Sequence, residues 1–122
     1  MEIRKINEAE QREIEEYLTL DEDLLYSLIP AYLPEYDKSA FNITGQIAAG
    51  RKYIEKLRHE LHRIICVDWQ LCAKIDHPNF KDSMNVVVVV GDAIAAKIAG
   101  VPPFLVASIL AKIGLRKFCN CK

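Results

Sequence analysis

The strongest pattern in the chain is a seven-residue repeat of apolar positions in its middle third. Between residues 46 and 76, apolar residues return at intervals of three and four, which in a helix places them along one side. Charged residues fill most other positions in the first half of this segment. The repeat therefore predicts one long helix over residues 46–76. Its seam consists of Ile47, Gly50, Ile54, Leu57, Leu61, Ile64, Asp68, Leu71 and Ile75.

The second half of this predicted helix is apolar on more than one side. Ile65, Cys66, Val67 and Trp69 all lie off the seam. A helix that is apolar all round is typically buried all round. We therefore expect residues 64–75 to form the central element of the fold.

Residues 82–115 form a more apolar segment, which Gly100 and a following pair of prolines divide in two. Val86–Val90 has the composition of a buried strand, but no other part of the sequence offers a strand to pair with it. The residues that follow have high helix propensity. The segment therefore predicts a helical hairpin, in which the proline pair opens the last helix and Gly114 ends it.

The N-terminal part predicts two short helices followed by a connector. Asn7 and Glu10 have the spacing of a capping box, which indicates a helix from about Glu8 to Tyr17. A second short helix is predicted to start at Asp21. Because proline disfavours helical geometry in the residue before it, residues 30–42 are predicted to be an ordered connector that carries tyrosines.

These patterns together predict an all-α fold. We expect four or five helices packed around one long central helix, with a C-terminal helical hairpin. A chain of 122 residues suits a single domain, and 51% apolar with 27% charged residues is a globular composition. Its expected parts are an acidic N-terminal arm (1–40), the long central helix (46–76) and the apolar hairpin (82–115).

The net charge of −1 hides an uneven distribution. Residues 1–40 contain eleven acidic and four basic residues, whereas residues 41–122 contain six acidic and twelve basic ones. The acidic arm is either a solvated helix or a cover for a basic surface. The basic residues form no dense patch and match no nucleic-acid-binding motif, so we expect no nucleic-acid partner.

The start of the chain and its cysteines bear on the cellular compartment. Residues 1–5 lack the apolar run of a secretory signal peptide. Four cysteines in such a chain are more often reduced thiols or metal ligands than a disulfide framework. We therefore expect a cytoplasmic protein.

Four residues are candidate ligands for a structural zinc ion. His62 and Cys66 lie one turn apart on the long helix, and Cys119 and Cys121 lie in the C-terminal tail. Together they would form a Cys3His set that fixes the tail to the helix. In the alternative interpretation the helical cysteines are small core residues, and a redox or disulfide role for Cys119 and Cys121 is a third.

Asp68 occupies a seam position in the part of the helix predicted to be most buried. A buried carboxylate needs a partner, and Lys97 and Lys112 are the basic residues within the apolar hairpin. Asp92 is a second candidate partner for Lys112. The expected result is a buried ion pair, and the alternative is a pocket in which Asp68 acts as a general base.

No catalytic or cofactor motif occurs in the sequence, so we expect an interaction or regulatory module without catalysis. Its partner would be another protein or a second copy of the chain, bound through the long helix. One alternative is a membrane-active protein that stores the apolar hairpin, residues 86–115, although each half falls short of the about 20 residues that a spanning helix needs. The other alternative is an enzyme with a pocket around Asp68.

Overall fold

A computed structural model of the chain describes residues 3–34 and 42–122, and within them the fold is all-α, as predicted. Most of the predicted connector, residues 35–41, lies outside the described residues. Two 3₁₀ turns (Ile29–Tyr32 and Pro78–Lys81) and a π-helix (Arg63–Asp68) join the α-helices. The α-helices of the described part are α1 (Glu8–Thr19), α2 (Glu22–Leu28), α3 (Ile43–His62), α4 (Leu71–Lys74), α5 (Ser83–Ala95), α6 (Pro103–Ile113) and α7 (Leu115–Phe118).

Local capping groups set several helix ends where the sequence predicts them. The Asn7 side chain accepts the Glu10 N–H at 2.8 Å, and the Glu10 carboxylate accepts the Asn7 N–H at 3.1 Å, which completes the capping box. Asp21 caps α2 by accepting the Leu24 N–H at 2.8 Å. Gly114 ends α6 with a φ of 104°, in the region that glycine occupies most easily.

The long central helix is present, but it changes its winding where the sequence predicts its most buried turn. α3 continues directly into the π-helix, which ends with the Trp69 N–H donating to the Ile64 carbonyl at 3.0 Å. Gln70 then adopts a left-handed conformation, with a φ of 57°. The continuous helix therefore ends at Asp68 instead of running to residue 76. Because a π-helical turn holds one residue more than an α-helical turn, the seam rotates away from its predicted side.

The most deeply buried element is α6, not the segment 64–75 that the sequence pattern favoured. Every residue from Phe104 to Leu110 is buried, and α6 contacts α1, α2, α5 and α7. Ser108, a buried polar residue on this helix, donates its hydroxyl to the Phe104 carbonyl oxygen at 2.7 Å. In the segment 64–75, by contrast, Val67 is 57% exposed. The prediction that residues 64–75 form the central element is therefore wrong. The physical reason is the rotation of the seam at the π-helix.

α5 and α6 pack against each other and form the predicted C-terminal hairpin. Val86–Val90 is helical, and four of its five valines are buried against neighbouring elements. Tertiary packing explains why this valine run is helical despite its strand propensity. Among the described residues, no helix is both long and apolar enough to cross a membrane.

The first half of the long helix packs on the N-terminal helices. Ile54 and Leu61 of its seam are buried, and α2 crosses α3 at Gly50. A β-carbon on Gly50 would lie 2.6 Å from the Tyr26 carbonyl carbon, so only glycine allows the two backbones to approach so closely. The seam therefore serves the fold of its own chain.

Candidate functional site

All four cysteines meet at one end of the molecule, where they form two disulfides. The inner disulfide joins Cys66 of the π-helix to Cys119 directly after α7, and the outer disulfide joins Cys72 of α4 to Cys121. We call these four residues the disulfide clasp. The expectation of reduced thiols is wrong for this structure, because no cysteine is free. The tail was predicted to be fixed to the long helix by zinc, whereas in the structure the Cys66–Cys119 disulfide joins them.

Two residues with positive φ shape the chain between α6 and its last cysteine. Gly114 has a φ of 104°, and α7 then buries Leu115 and Phe118. Asn120 adopts a left-handed conformation with a φ of 55°, and the Cys121 N–H donates to the Arg116 carbonyl at 2.9 Å. These local bonds hold the last residues beside α4.

The two disulfides differ in their exposure to solvent. Cys119 is only 8% exposed, Cys66 and Cys121 are both half-buried, and Cys72 is exposed. Phe118, next to Cys119, is covered by two side chains: the Arg58 guanidinium lies 5.3 Å from the centre of its ring, and the His62 ring lies 6.1 Å away. The inner disulfide therefore belongs to the core, and the outer one belongs to the surface.

Two positively charged residues, Arg116 and Lys74, lie close in sequence to the cysteines of the outer disulfide. Arg116 forms an ion pair with Asp76 at 2.7 Å and also donates to the main-chain oxygen of Lys122 at 3.1 Å. Lys74 donates to the Trp69 carbonyl oxygen, with its ammonium 5.0 Å from the centre of the Trp69 ring. Arg116 also lines a cavity of about 230 Å³ beside the clasp. The other lining residues are Ile75, Phe80, Ser83, Val86, Ala111 and Leu115.

The structure brings together part of the predicted zinc set. Cys66, Cys119 and Cys121 belong to the clasp, and His62 stacks on the neighbouring Phe118. In the described part of the chain, no group of three or more histidine, cysteine or acidic side chains could hold a metal ion. Zinc binds thiolates, and a disulfide sulfur is not one. Zinc binding therefore stays a prediction, and it applies to the reduced chain.

For the reduced chain we expect about one zinc ion per molecule, because four sulfur ligands then become available at one place. The measurement is the metal content of protein purified with a reductant and without a chelator. A His62→Ala variant loses the metal if the ligands are His62 and three cysteines, and keeps it if they are the four cysteines. Cys121→Ser loses the metal with either ligand set. His59→Ala is the control, since His59 is an exposed histidine of the same helix. Metal-free reduced protein contradicts the prediction.

The predicted buried ion pair is corrected. Asp68 lies on the surface and pairs with Arg63 at 3.2 Å, and its side chain is 49% exposed. The two residues are five apart, which is the spacing of the π-helical turn that carries them. The physical reason for the error is the same rotation of the seam. Asp68 lines neither of the two cavities described for this structure, and the general-base interpretation stays a prediction.

The three other residues considered for the predicted ion pair have surroundings that do not include Asp68. Asp92 pairs with Arg4 at 2.8 Å, near the N-terminus. Lys112 donates to the Leu18 carbonyl oxygen at 3.2 Å, and Lys97 is exposed. Each charged group thus finds a partner or solvent at the surface, which avoids the cost of burying a charge.

A second concave surface lies between the N-terminal helices. It is a groove of about 580 Å³ between α1 and the α2–3₁₀ segment, and we call it the N-terminal groove. Its lining residues are Ala9, Arg12, Glu13, Glu16, Tyr17, Ser27, Leu28, Ala31 and Tyr32. Leu28 and Tyr32 are 37% and 46% exposed. The Tyr17 hydroxyl donates to Glu13 at 3.0 Å, and burial raises the pKa of Tyr17.

Sequence reasoning missed this groove and the role of Cys72. Leu28 ends α2 and Tyr32 ends the 3₁₀ turn that follows it, and both line the groove, so their proximity depends on the tertiary structure. Comparison of the chain with protein-family models, with curated proteins and with solved structures found no match.

Proposed function

We propose that this protein is an interaction module that binds a basic, amphipathic helix of a partner protein in the N-terminal groove. The observation that carries the proposal is the pair of exposed apolar side chains, Leu28 and Tyr32, inside a groove with an acidic edge. Exposed apolar groups in a concave site with a polar edge are typical of binding grooves.

Charge supports the choice of a basic partner. α1 carries five glutamates and one arginine, and Glu13 and Glu16 line the groove itself. α2 adds Glu22 and Asp23 in its first turn. An acidic groove attracts a basic segment and repels an acidic one, which gives specificity as well as faster association. Apolar anchors at helical spacing are how such a segment would fill the groove.

The long helix supports partner binding less well than the sequence indicated. Its apolar seam packs on the chain's own N-terminal helices, so a partner on α3 would contact its charged side. Self-association through this helix therefore stays a prediction, which size measurement at micromolar concentration tests. A lone monomer that also fails to bind the peptide described next would remove the proposal.

The test uses a synthetic amphipathic helix made only of leucine and lysine. We expect the double variant Leu28→Ala/Tyr32→Ala to bind this peptide about tenfold more weakly than the unmodified protein, since loss of two apolar anchors costs at least about 1.4 kcal/mol. Isothermal titration calorimetry measures both affinities.

Two controls make the test specific to the groove. Val67→Ala removes an apolar side chain that is 57% exposed outside the groove, so it should leave the affinity unchanged. A matched peptide of leucine and glutamate should not bind. Equal weakening by Val67→Ala, or equal binding of the acidic peptide, would show that the attraction is only general stickiness.

The clasp bears on the predicted cytoplasmic location. Ordinary disulfides persist in oxidising compartments and are rare in the cytosol, where thiols stay reduced. We propose that the closed clasp belongs to an oxidising environment, whereas a cytoplasmic copy would carry thiols. Differential alkylation of the cysteines, carried out directly on intact cells, distinguishes the two states.

The hypothesis that the apolar hairpin enters a membrane stays a prediction, and the packing of the hairpin in the core opposes its release. α6 is buried on all sides, and the clasp fixes the segment that follows it. Release of the hairpin would expose the largest part of the core to water. Leakage of dye-filled liposomes only after reduction would support this alternative, and no leakage under either condition would end it.

A further inference from the structure

We propose that the outer disulfide is a thiol–disulfide exchange site, which a dithiol reductant opens by attack on Cys72 while the inner disulfide stays closed. This inference is independent of the N-terminal groove, because it rests on the other end of the molecule. It assigns to the four cysteines two different tasks: the Cys66–Cys119 bond holds the fold, and the Cys72–Cys121 bond reacts.

Access is the first argument. Exchange requires a thiolate to reach a disulfide sulfur, so the exposed sulfur reacts first. As a residue, Cys72 is exposed on α4, a helix of four residues that follows the left-handed Gln70, and its Sγ lies 3.8 Å from the Cys119 carbonyl oxygen. Cys119 is 8% exposed. A reductant in solution therefore meets Cys72 well before it meets the inner disulfide.

The leaving group is the second argument. When Cys72 is attacked, Cys121 departs as a thiolate, and nearby positive charge stabilises a thiolate. Cys121 is bound through its N–H to the Arg116 carbonyl, and the Arg116 guanidinium contacts the next residue, Lys122. Attack on Cys72 thus releases the sulfur of a residue that is hydrogen-bonded to Arg116, whose guanidinium also pairs with Asp76.

The reaction balances with a dithiol as the reductant. One thiolate of the dithiol forms a bond to the Cys72 sulfur, the Cys72–Cys121 bond breaks, and Cys121 takes a proton from water. The second thiolate of the reductant then attacks the reductant's first sulfur, which is bonded to Cys72 in the mixed disulfide. Cys72 leaves and is protonated, and the reductant ends as a disulfide. The chain gains two electrons and two protons.

The tail changes locally when the outer disulfide opens. The inner disulfide still holds Cys119, so α7 and its buried Phe118 keep their place. α4 is then linked to the tail by the Arg116–Asp76 ion pair, and exposed ion pairs contribute little stability. Because Ile75 and Arg116 line the cavity beside the clasp, opening the outer disulfide loosens one wall of that cavity.

The primary experiment is stepwise reduction of the unmodified protein by dithiothreitol, with rapid alkylation and mass spectrometry of each cysteine. We expect Cys72 and Cys121 to become alkylated together, about tenfold faster than Cys66 and Cys119, because access controls the rate. Circular dichroism should show an unchanged helical signal at the stage where only the outer pair has reacted. Simultaneous reaction of all four cysteines, or earlier reaction of the inner pair, overturns the proposal.

A matched pair of variants tests the site of attack. Cys121→Ala leaves Cys72 as a free thiol, and Cys119→Ala leaves Cys66 as one. With oxidised glutathione as the probe, we expect Cys72 to form the glutathione adduct about tenfold faster than Cys66, for the same reason of access. Equal rates in two folded variants contradict the role of Cys72.

A second pair tests the contribution of Arg116 as a positioning residue. Arg116→Gln removes the positive charge near Cys121, whereas Asp76→Asn breaks the same ion pair and keeps that charge. We expect a slower opening of the outer disulfide only in Arg116→Gln, with recovery in Arg116→Lys. Equal rates in Arg116→Gln and Asp76→Asn would show that the positive charge plays no part.

Discussion

Under oxidising conditions, the double variant Cys66→Ala/Cys119→Ala should lose about 4 kcal/mol of its free energy of unfolding. The inner disulfide joins residues that are 53 positions apart. Because the outer disulfide still cross-links the chain, the inner one closes only the short path through residues 66–72 and 119–121. The lost loop closure accounts for about 3 kcal/mol and the lost core contacts of Cys119 for about 1 kcal/mol. Urea denaturation followed by circular dichroism measures the change.

The matched control is the outer pair, Cys72→Ala/Cys121→Ala. Its loop spans 49 positions, so chain entropy alone predicts nearly the same loss of stability. Burial separates the two variants: Cys119 is 8% exposed, so its truncation also removes core contacts, and we expect the inner variant to lose about 1 kcal/mol more. A larger loss in the outer variant would refute the division of the clasp into a core bond and a surface bond.

The two loops overlap, and this predicts the result of removing both. Residues 72–119 belong to both loops, so much of the unfolded chain is restricted by either disulfide alone. Removing one disulfide therefore leaves most of this restriction in place, and the variant without any cysteine should lose more stability than the two double variants lose together. Its dependence on urea concentration should also be steeper, because an unfolded chain without cross-links exposes more surface.

Helix ends were predictable because their signals are local. Asn7, Asp21 and Gly114 act through bonds to residues within a few positions, and each stands where the sequence placed it. The valine run of α5 was also predicted as a helix, although its own propensity favours a strand. The prediction was correct because it took into account that the sequence offers no second strand to pair with this run.

Asp68 shows where local reasoning stopped being sufficient. The heptad pattern assumed constant winding from Ile47 to Ile75, and the π-helical segment turned Asp68 away from the predicted side, although the next seam residue, Leu71, is buried. The seam was right as far as Ile64, which is buried, and wrong at Asp68, which is exposed. No residue type in this segment demands a π-helix, so packing in the folded chain determines it.

The cysteines show a different limit. The sequence brought the tail to the helix through Cys66 and Cys119, and the structure joins these two residues. The sequence did not predict the pairing of Cys72 with Cys121, because their contact depends on the left-handed conformations of Gln70 and Asn120. Pairing of this kind is a property of the tertiary structure, since four cysteines allow three connectivities.

Gly50→Ala should destabilise the protein by about 3 kcal/mol, although the same change stabilises most helices. Gly50 lies inside α3, where alanine has the higher helix propensity by about 1 kcal/mol. The new β-carbon would collide with the main chain of Tyr26, 2.6 Å from its carbonyl carbon. A backbone cannot turn aside as a flexible side chain can, so α2 must move away from α3 and the contacts between them weaken.

The control for this variant is Ala48→Gly, at an exposed position of the same helix. It should lower the free energy of unfolding by about 1 kcal/mol through helix propensity alone. The same difference in propensity would favour alanine at position 50 if there were no clash with Tyr26. Urea denaturation measures the free energy of unfolding of both variants. Alanine should be the more stable residue at position 48 and the less stable one at position 50. If Gly50→Ala proves as stable as the unmodified protein or more so, α2 and α3 do not meet at Gly50. Since α2 also carries Leu28 and leads into Tyr32, a destabilised α2–α3 contact should weaken peptide binding in the N-terminal groove as well.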